Sequence, residues 1–205
     1  MTRARPNLVA VVAHYDDEVL YLGGLLTSRR DHFGDVTIAV ATNIHTTSAP
    51  RGHLTFVDHD ELERRRLRTT AFRTVCERIE AQPLMLDVAN LEQSARRASP
   101  SFERTRHHLE HELAATRAFL NADVILTHGS EGEYGHPQHQ CVHDAVVAAS
   151  AEQSIWTFAG PDQHDVVVDF DADIKQSLIE LYRDNGPPCP PPRSSTPSVI
   201  PPPRC

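Results

Sequence analysis

The sequence predicts an α/β fold: a three-layer, Rossmann-like, doubly wound and mostly parallel sheet in a single domain. Three observations carry that expectation. Short apolar segments rich in β-branched residues recur along the chain, longer helix-compatible stretches separate them, and 205 residues at 40% hydrophobic suffice for one ordinary core.

The strands come first. Residues 7–13 (NLVAVVA), 35–42 (DVTIAVAT), 83–88 (PLMLDV) and 122–128 (ADVILTH) are nearly continuous in apolar character. Strands buried on both faces of a parallel sheet read this way. Helices are expected at 18–30, 60–81, 102–120 and 136–151. In 60–81, Leu62, Leu67, Ala71, Val75 and Ile79 recur at helical steps with arginines on the other face. The alternation implies right-handed βαβ crossovers. Residues 164–171 (HDVVVDFD) read as one more strand, followed by a helix at 172–183. The folded domain is therefore expected over 1–185. In residues 186–205 fall nine of the chain's 15 prolines, which predicts an extended, disordered tail.

Composition excludes several classes. A net charge of −8, spread along the chain, gives no basic stripe for nucleic acid. No apolar run approaches the roughly 20 residues that span a bilayer, and the opening stretch carries no signal-peptide pattern, so no membrane partner is expected. Cys76, Cys141, Cys189 and Cys205 form no CxxC pair, which points to free thiols in a reducing cytoplasm.

Two clusters carry the chemistry. His14, Asp16, Asp17 and Glu18 follow the first strand directly, at the carboxyl end where doubly wound sheets bind ligands. An imidazole and a carboxylate at this spacing can face one Zn²⁺, while the neighbouring carboxylate takes a proton from water. An aspartate capping the following helix would explain the same residues without chemistry. The second cluster, THGSEGEYGHPQHQCVHDAV, sets His128 at a strand end, then a glycine-rich loop, then His136 and His139 at a helix start. Pro137 suits a first helical turn, and His143 shares a face with His139. If the fold is as argued, both clusters meet at one crevice.

These motifs resemble those of the LmbE/PIG-L family of zinc-dependent N-deacetylases, whose signatures are A-H-P-D-D-E and a later G-H-x-D/Q-H. The chain has Ala13-His14-Tyr15-Asp16-Asp17-Glu18 and Gly135-His136-Pro137-Gln138-His139. The resemblance runs over about residues 7–183. It implies a hydrolase that removes the acetyl group from an N-acetylated amino sugar or its conjugate. His14, Asp17 and His139 would hold Zn²⁺, a set that also accepts Fe²⁺ or Co²⁺. Asp16 would deprotonate the water held there. His136 would be its charged partner, steadying the oxyanion or protonating the amine, and Tyr134 would polarise the amide carbonyl. The partner implied is a small amino-sugar substrate, with a homo-oligomer as an option.

Three departures stand out. Tyr15 replaces the family's proline and is a candidate for the pocket lining. Arg64 matches the arginine of an Arg-x-x-Glu pair and is a candidate sugar contact, but Leu67 stands where the glutamate is expected. The proline-rich stretch replaces a continuation that helps wall the pocket. They leave two alternatives: a catalytically weak or inactive member acting as a binding protein, and an amidase of thiol conjugates on the same site. His107, His108 and His111 lack the H-E-x-x-H pattern and read as a solvated face, as do Arg64 to Arg68.

Overall fold

A computed structural model describes residues 5–42, 61–158 and 167–183, and at 61, 62 and 64 the backbone alone. Within them the strands are β1 (Leu8–Val12), β2 (Val36–Thr42), β3 (Gln82–Val88), β4 (Val124–Thr127) and β5 (Ser154–Thr157). The helices are α1 (Gly23–Arg29), α2 (Glu61–Arg78), α3 (Pro100–Ala115), α4 (Arg117–Leu120), α5 (Gly132–Gly135), α6 (Pro137–Ala149) and α7 (Ala172–Glu180). A π-helical turn, Glu18–Leu22, precedes α1.

The described strands form one parallel sheet in the order β3-β2-β1-β4-β5. The chain winds outward from β1 to β3 and then returns to lay β4 against β1. The crevice at this reversal is bordered by the segments that follow β1 and β4, which carry the two clusters.

The period-two geometry of the strands builds two cores. Leu8, Ala10, Val12, Ile38 and Val40 pack with Leu26 of α1, Phe72 and Val75 of α2, and Leu178 of α7. Val9, Val11, Ala39, Ala41 and Ile125 pack with Leu109 and Leu113 of α3, Phe119 of α4 and Val142 of α6. Strands buried on both faces leave no polar alternation, which is why their sequences are continuous apolar runs. Each fully buried Leu, Phe or Val contributes roughly 1.5–3 kcal/mol from apolar burial.

Three sequence expectations need correction. β5 was not expected: its four residues, SIWT, are all half-buried, and among the described strands they pair with β4. The strand expected at 164–171 does not form over the described residues. Val167 makes an isolated bridge, and 168–171 lead irregularly into α7. The first helix is split by the π turn. The stretch 186–205 expected to be disordered, with Cys189 and Cys205, lies outside the described residues.

Candidate active site

β1 delivers the first cluster to the crevice and is held there by its neighbours. Thr42 donates its amide and hydroxyl to Ala13 O at 3.0 and 2.8 Å, and Thr127 Oγ1 donates to Val11 O at 3.0 Å. The chain then turns sharply. Asp16 adopts φ 105, a positive value that a residue with a side chain holds only under constraint. Neither aspartate caps the helix through its side chain, so the capping explanation does not describe this loop.

Asp17 is 3% exposed and forms the hub. Its Oδ2 accepts from the His14 amide at 2.8 Å and lies 3.5 Å from His14 Nδ1, 3.5 Å from His128 Nε2 and 3.6 Å from His139 Nε2. Burial alone would raise this carboxyl, but His139, His128 and His14 together hold it well below the usual carboxylate range.

The segment after β4 supplies the rest. Gly132 (φ 68) and Glu133 (φ 50) bend the chain back, and a Cβ on Gly132 would stand 3.0 Å from Gln140 Cγ. The bend aims Glu133 inward. Its Oε2 lies 2.6 Å from His139 Nδ1 and 2.9 Å from His128 Nδ1, while its Oε1 accepts from the Gly129 amide at 2.9 Å. Against burial, hydrogen bonds from His128 and His139 bring Glu133 down to about 2, so it is a carboxylate that fixes two imidazole protons.

With Nδ1 protonated, His139 presents a lone pair at Nε2. That atom is buried with no hydrogen-bond partner. Burial holds this imidazole below its usual value and therefore neutral. His14 points Nε2 at Asn90 Oδ1, 3.2 Å away, which leaves the Nδ1 lone pair toward Asp17. Asp17 Oδ2 thus has an imidazole lone pair 3.5 Å away on His14 and another 3.6 Å away on His139, with no proton between. A cation suits this arrangement, and an unpartnered buried nitrogen otherwise costs about 1–3 kcal/mol.

His128 is different. Burial disfavours its imidazolium, while hydrogen bonds to Asp17 and Glu133 favour it and draw its pKa up to about 9. The Ala13 amide, however, donates to its Nε2 at 3.0 Å, closer than Asp17 at 3.5 Å, and the neutral Nδ1–H ring fits these contacts. Its lone pair is therefore engaged by backbone. Among the described residues, two sets of three ligand atoms lie within 4.8 Å of one another: His14, His136 and His139, and Asp17, His128 and His139. The expected trio of His14, Asp17 and His139 takes members from both but is itself neither; the set that unites a carboxylate with two imidazoles is Asp17, His128 and His139.

Asp16 is 7% exposed. Burial pushes it up to about 7, opposed by Arg68 and His14 and aided by the Asp17 charge. His136 caps α6, its Nδ1 accepting from the Gln138 amide at 3.2 Å. In that contact the ring proton sits on Nε2. The Tyr134 ring lies 5.3 Å from that of His139 and 5.6 Å from that of His136. Partial burial and the nearby carboxylates push its hydroxyl up, so it keeps its proton.

Of the weaker candidates, Tyr15 is buried, edge-on to Phe72, and lines a cavity of about 340 Å³ with Thr42, Arg65, Thr69, Arg73, Met85 and Asp87. The Arg64 side chain lies outside the described residues. Arg68, read as part of a solvated face, instead turns its Nη1 to Tyr15 O at 3.4 Å. His107 and His108 are exposed on α3, as expected, and His143 is a structural group that bonds His128 O at 2.8 Å.

Glu133, Asn90 and Arg68 were missed as site residues. Glu133 carried one signal, an acidic residue between histidines in a glycine-rich loop. Asn90 carried none: it is placed by Gln138, whose Oε1 accepts from the Leu91 amide at 2.7 Å.

Comparison with known proteins bears on this geometry. The model of the PIG-L family, described as GlcNAc-PI de-N-acetylase, matches residues 9–150. A curated relative, the 1D-myo-inositol 2-acetamido-2-deoxy-alpha-D-glucopyranoside deacetylase of Nakamurella multipartita, is 28% identical over 158 residues, which is 70% of this chain and 54% of the relative. The chain thus spans about half the length of the curated relative it matches. Among solved structures, a deacetylase of the teicoplanin biosynthesis pathway matches with TM-score 0.63 at 16% identity, covering 86% of this chain and 84% of the other. GalB, the 4-carboxy-2-hydroxymuconate hydratase of Pseudomonas putida KT2440, matches with TM-score 0.59 at 14% identity, covering 86% and 78%. At such identities these two likenesses concern the fold alone.

Proposed function

From the premise that this chain belongs to the PIG-L family, described as GlcNAc-PI de-N-acetylase, we propose that it is a metal-dependent hydrolase releasing acetate from an N-acetylated amino sugar or its conjugate. The observation that carries this is the buried, unpartnered Nε2 of His139 facing Asp17 Oδ2, with the His14 lone pair beside it.

His14, Asp17 and His139 would hold the ion, with Zn²⁺ favoured by the N/O donor set and Fe²⁺ or Co²⁺ as substitutes. When bound, Zn²⁺ acidifies water and polarises the amide carbonyl. The remaining work falls to the chain's own groups. Asp16, poised near neutrality, takes the proton as water oxygen attacks the acetyl carbon. His136 Nε2–H and the Tyr134 hydroxyl donate to the carbonyl oxygen as charge builds there. The carbon–nitrogen bond then breaks, and Asp16 returns the proton to the leaving amine. The products are acetate and a free amino sugar.

The buried free thiols of Cys76 and Cys141 fit a reducing cytoplasm, and among the described residues no helix is long and apolar enough to cross a membrane.

The test measures bound zinc and acetate release from a panel of N-acetylglucosaminyl compounds, for the parent and for Asp17→Asn. The expected result is one zinc per parent chain, its loss in the variant, and acetate from at least one compound. No bound metal in the parent after zinc supplementation overturns the proposal. Release of an amine from thiol conjugates alone would move the substrate class and keep the chemistry.

A further inference from the structure

Behind the catalytic loop lies a second, fully buried hydrogen-bonded chain that the hydrolysis does not use directly. The Asp16 amide donates to Glu18 Oε2 at 3.0 Å, and the Asp16 carbonyl accepts from the Val19 and Leu20 amides at 3.1 and 3.0 Å. Glu18 has no exposure, and its other oxygen is hydrogen-bonded by the Tyr182 hydroxyl. Tyr182 is 2% exposed, follows α7, and lies beyond the residues matched by the family model.

The same segment grips the loop's exit twice more. Lys175 Nζ donates to Leu20 O at 2.8 Å, inside the π-helical turn, where the regular ladder is interrupted. Phe170 lies against Gly24 so closely that a Cβ there would stand 2.7 Å from its ring. The segment around α7 therefore closes over the stretch of backbone that carries the strained Asp16.

We propose that Tyr182 is a positioning residue for the hydrolysis: by anchoring Glu18, which holds the Asp16 amide, it keeps the Asp16 carboxylate aimed at the reacting water. This rests on Asp16 being the base. The argument is one of constraint. A positive φ at a residue with a Cβ costs of order 1–3 kcal/mol and persists only when its surroundings over-determine it. Here the Glu18 side chain supplies that hold, and the Tyr182 hydroxyl fixes its rotamer. The Tyr182 ring packs in the core independently of its hydroxyl, so Tyr182→Phe separates the two roles.

The experiment uses the zinc-loaded full chain, with Tyr182→Phe, Glu18→Ala, Glu18→Gln and the Tyr182→Phe/Glu18→Ala double variant. It reads kcat, KM, zinc content, and exchange of the Asp16 amide by ¹⁵N NMR. In Tyr182→Phe, kcat falls about tenfold, the worth of one buried hydrogen bond, with KM and zinc content unchanged. The Asp16 amide exchanges faster by a similar factor, while the Val11 amide in β1 does not. In the Glu18→Ala background the same change adds nothing further, as coupled residues require. Glu18→Gln, whose carboxamide oxygen still accepts from Asp16, recovers part of the Glu18→Ala loss. Parent kcat in Tyr182→Phe, a loss that adds in full to Glu18→Ala, or an unchanged Asp16 amide overturns the proposal. If Tyr182→Phe folds poorly, equal kcat in Glu18→Ala and Glu18→Gln overturns it instead. A parent that releases no acetate sinks the hydrolase reading alone, and the amide-exchange arm still decides whether Tyr182 holds Asp16.

Discussion

Glu133 Oε2 stands 2.6 Å from Nδ1 of His139, and this contact sets which nitrogen of the histidine faces Asp17. A glutamine there would lose the charge that orders both His139 and His128. Glu133→Gln is therefore expected to weaken zinc binding by about 10–100-fold, the usual effect of losing a ligand's carboxylate partner. Competition with a chelator of known affinity measures it. Unchanged affinity would show that the His139 tautomer is set elsewhere.

Asp16 stands outside both sets of clustered ligand atoms. Asp16→Asn should lower kcat by about 10²–10⁴-fold, the range for losing a positioned base. Zinc content should stay at the parent value. Loss of zinc in this variant would reassign Asp16 as a ligand.

The pH profile follows from the same residue. Its pKa is raised to about 7, chiefly by burial, and only the carboxylate accepts a proton. Activity is thus present above that value and lost as pH falls through it. A bound cation beside it draws the limb lower. The expected plot of log kcat/KM rises with unit slope on the acid side and levels near or below pH 7. An acid limb that persists unchanged in Asp16→Asn would remove Asp16 from the proton transfer.

Much of the site was legible because its groups lie next to the strands that place them. His14, Asp16 and Asp17 follow β1, and His136 and His139 flank Pro137 at the start of α6, so spacing and strand order suffice. Asn90, Arg68 and Tyr182 reach the loop across 76, 53 and 164 residues, and no local pattern reports contacts of that span. The sheet was legible where a strand carries a continuous apolar run, as in β1, β2, β4 and the edge strand β3. It failed at β5, whose half-buried edge position needs no continuous apolar run, and at the π turn. There the loop geometry around Asp16 overrides an otherwise regular helical start.

Glu18 links the site to stability. Burial pushes its pKa up to about 8, despite the hydrogen bond from Tyr182. A raised folded-state pKa means that its stabilising contribution is complete below the ordinary carboxylate value near 4.5 and is lost as pH rises through 8. The metal-free chain should lose thermal stability across that window, and Glu18→Gln, which cannot ionise, should flatten the decline. Thermal melts at pH 5 and 8.5 in the presence of chelator compare the two slopes. Parallel slopes would mean that Glu18 is already ionised at pH 5.

Tyr15, at the place of the proline in the A-H-P-D-D-E motif, is the last point the structure reinterprets. A proline would stiffen the turn through its own ring. Tyr15 fixes it from outside, its side chain 5% exposed and its ring 5.5 Å from that of Phe72 at 79°. The hydroxyl contributes little, since its contact with Thr69 Oγ1 is 3.5 Å long. Tyr15→Ala should therefore cost about 3–5 kcal/mol, as other buried aromatic truncations do. Tyr15→Phe should stay within about 1 kcal/mol of the parent. Denaturant midpoints at unchanged m-value report both. If Tyr15→Ala unfolds at the parent midpoint, the ring is not the anchor, and the turn is held by its backbone contacts alone.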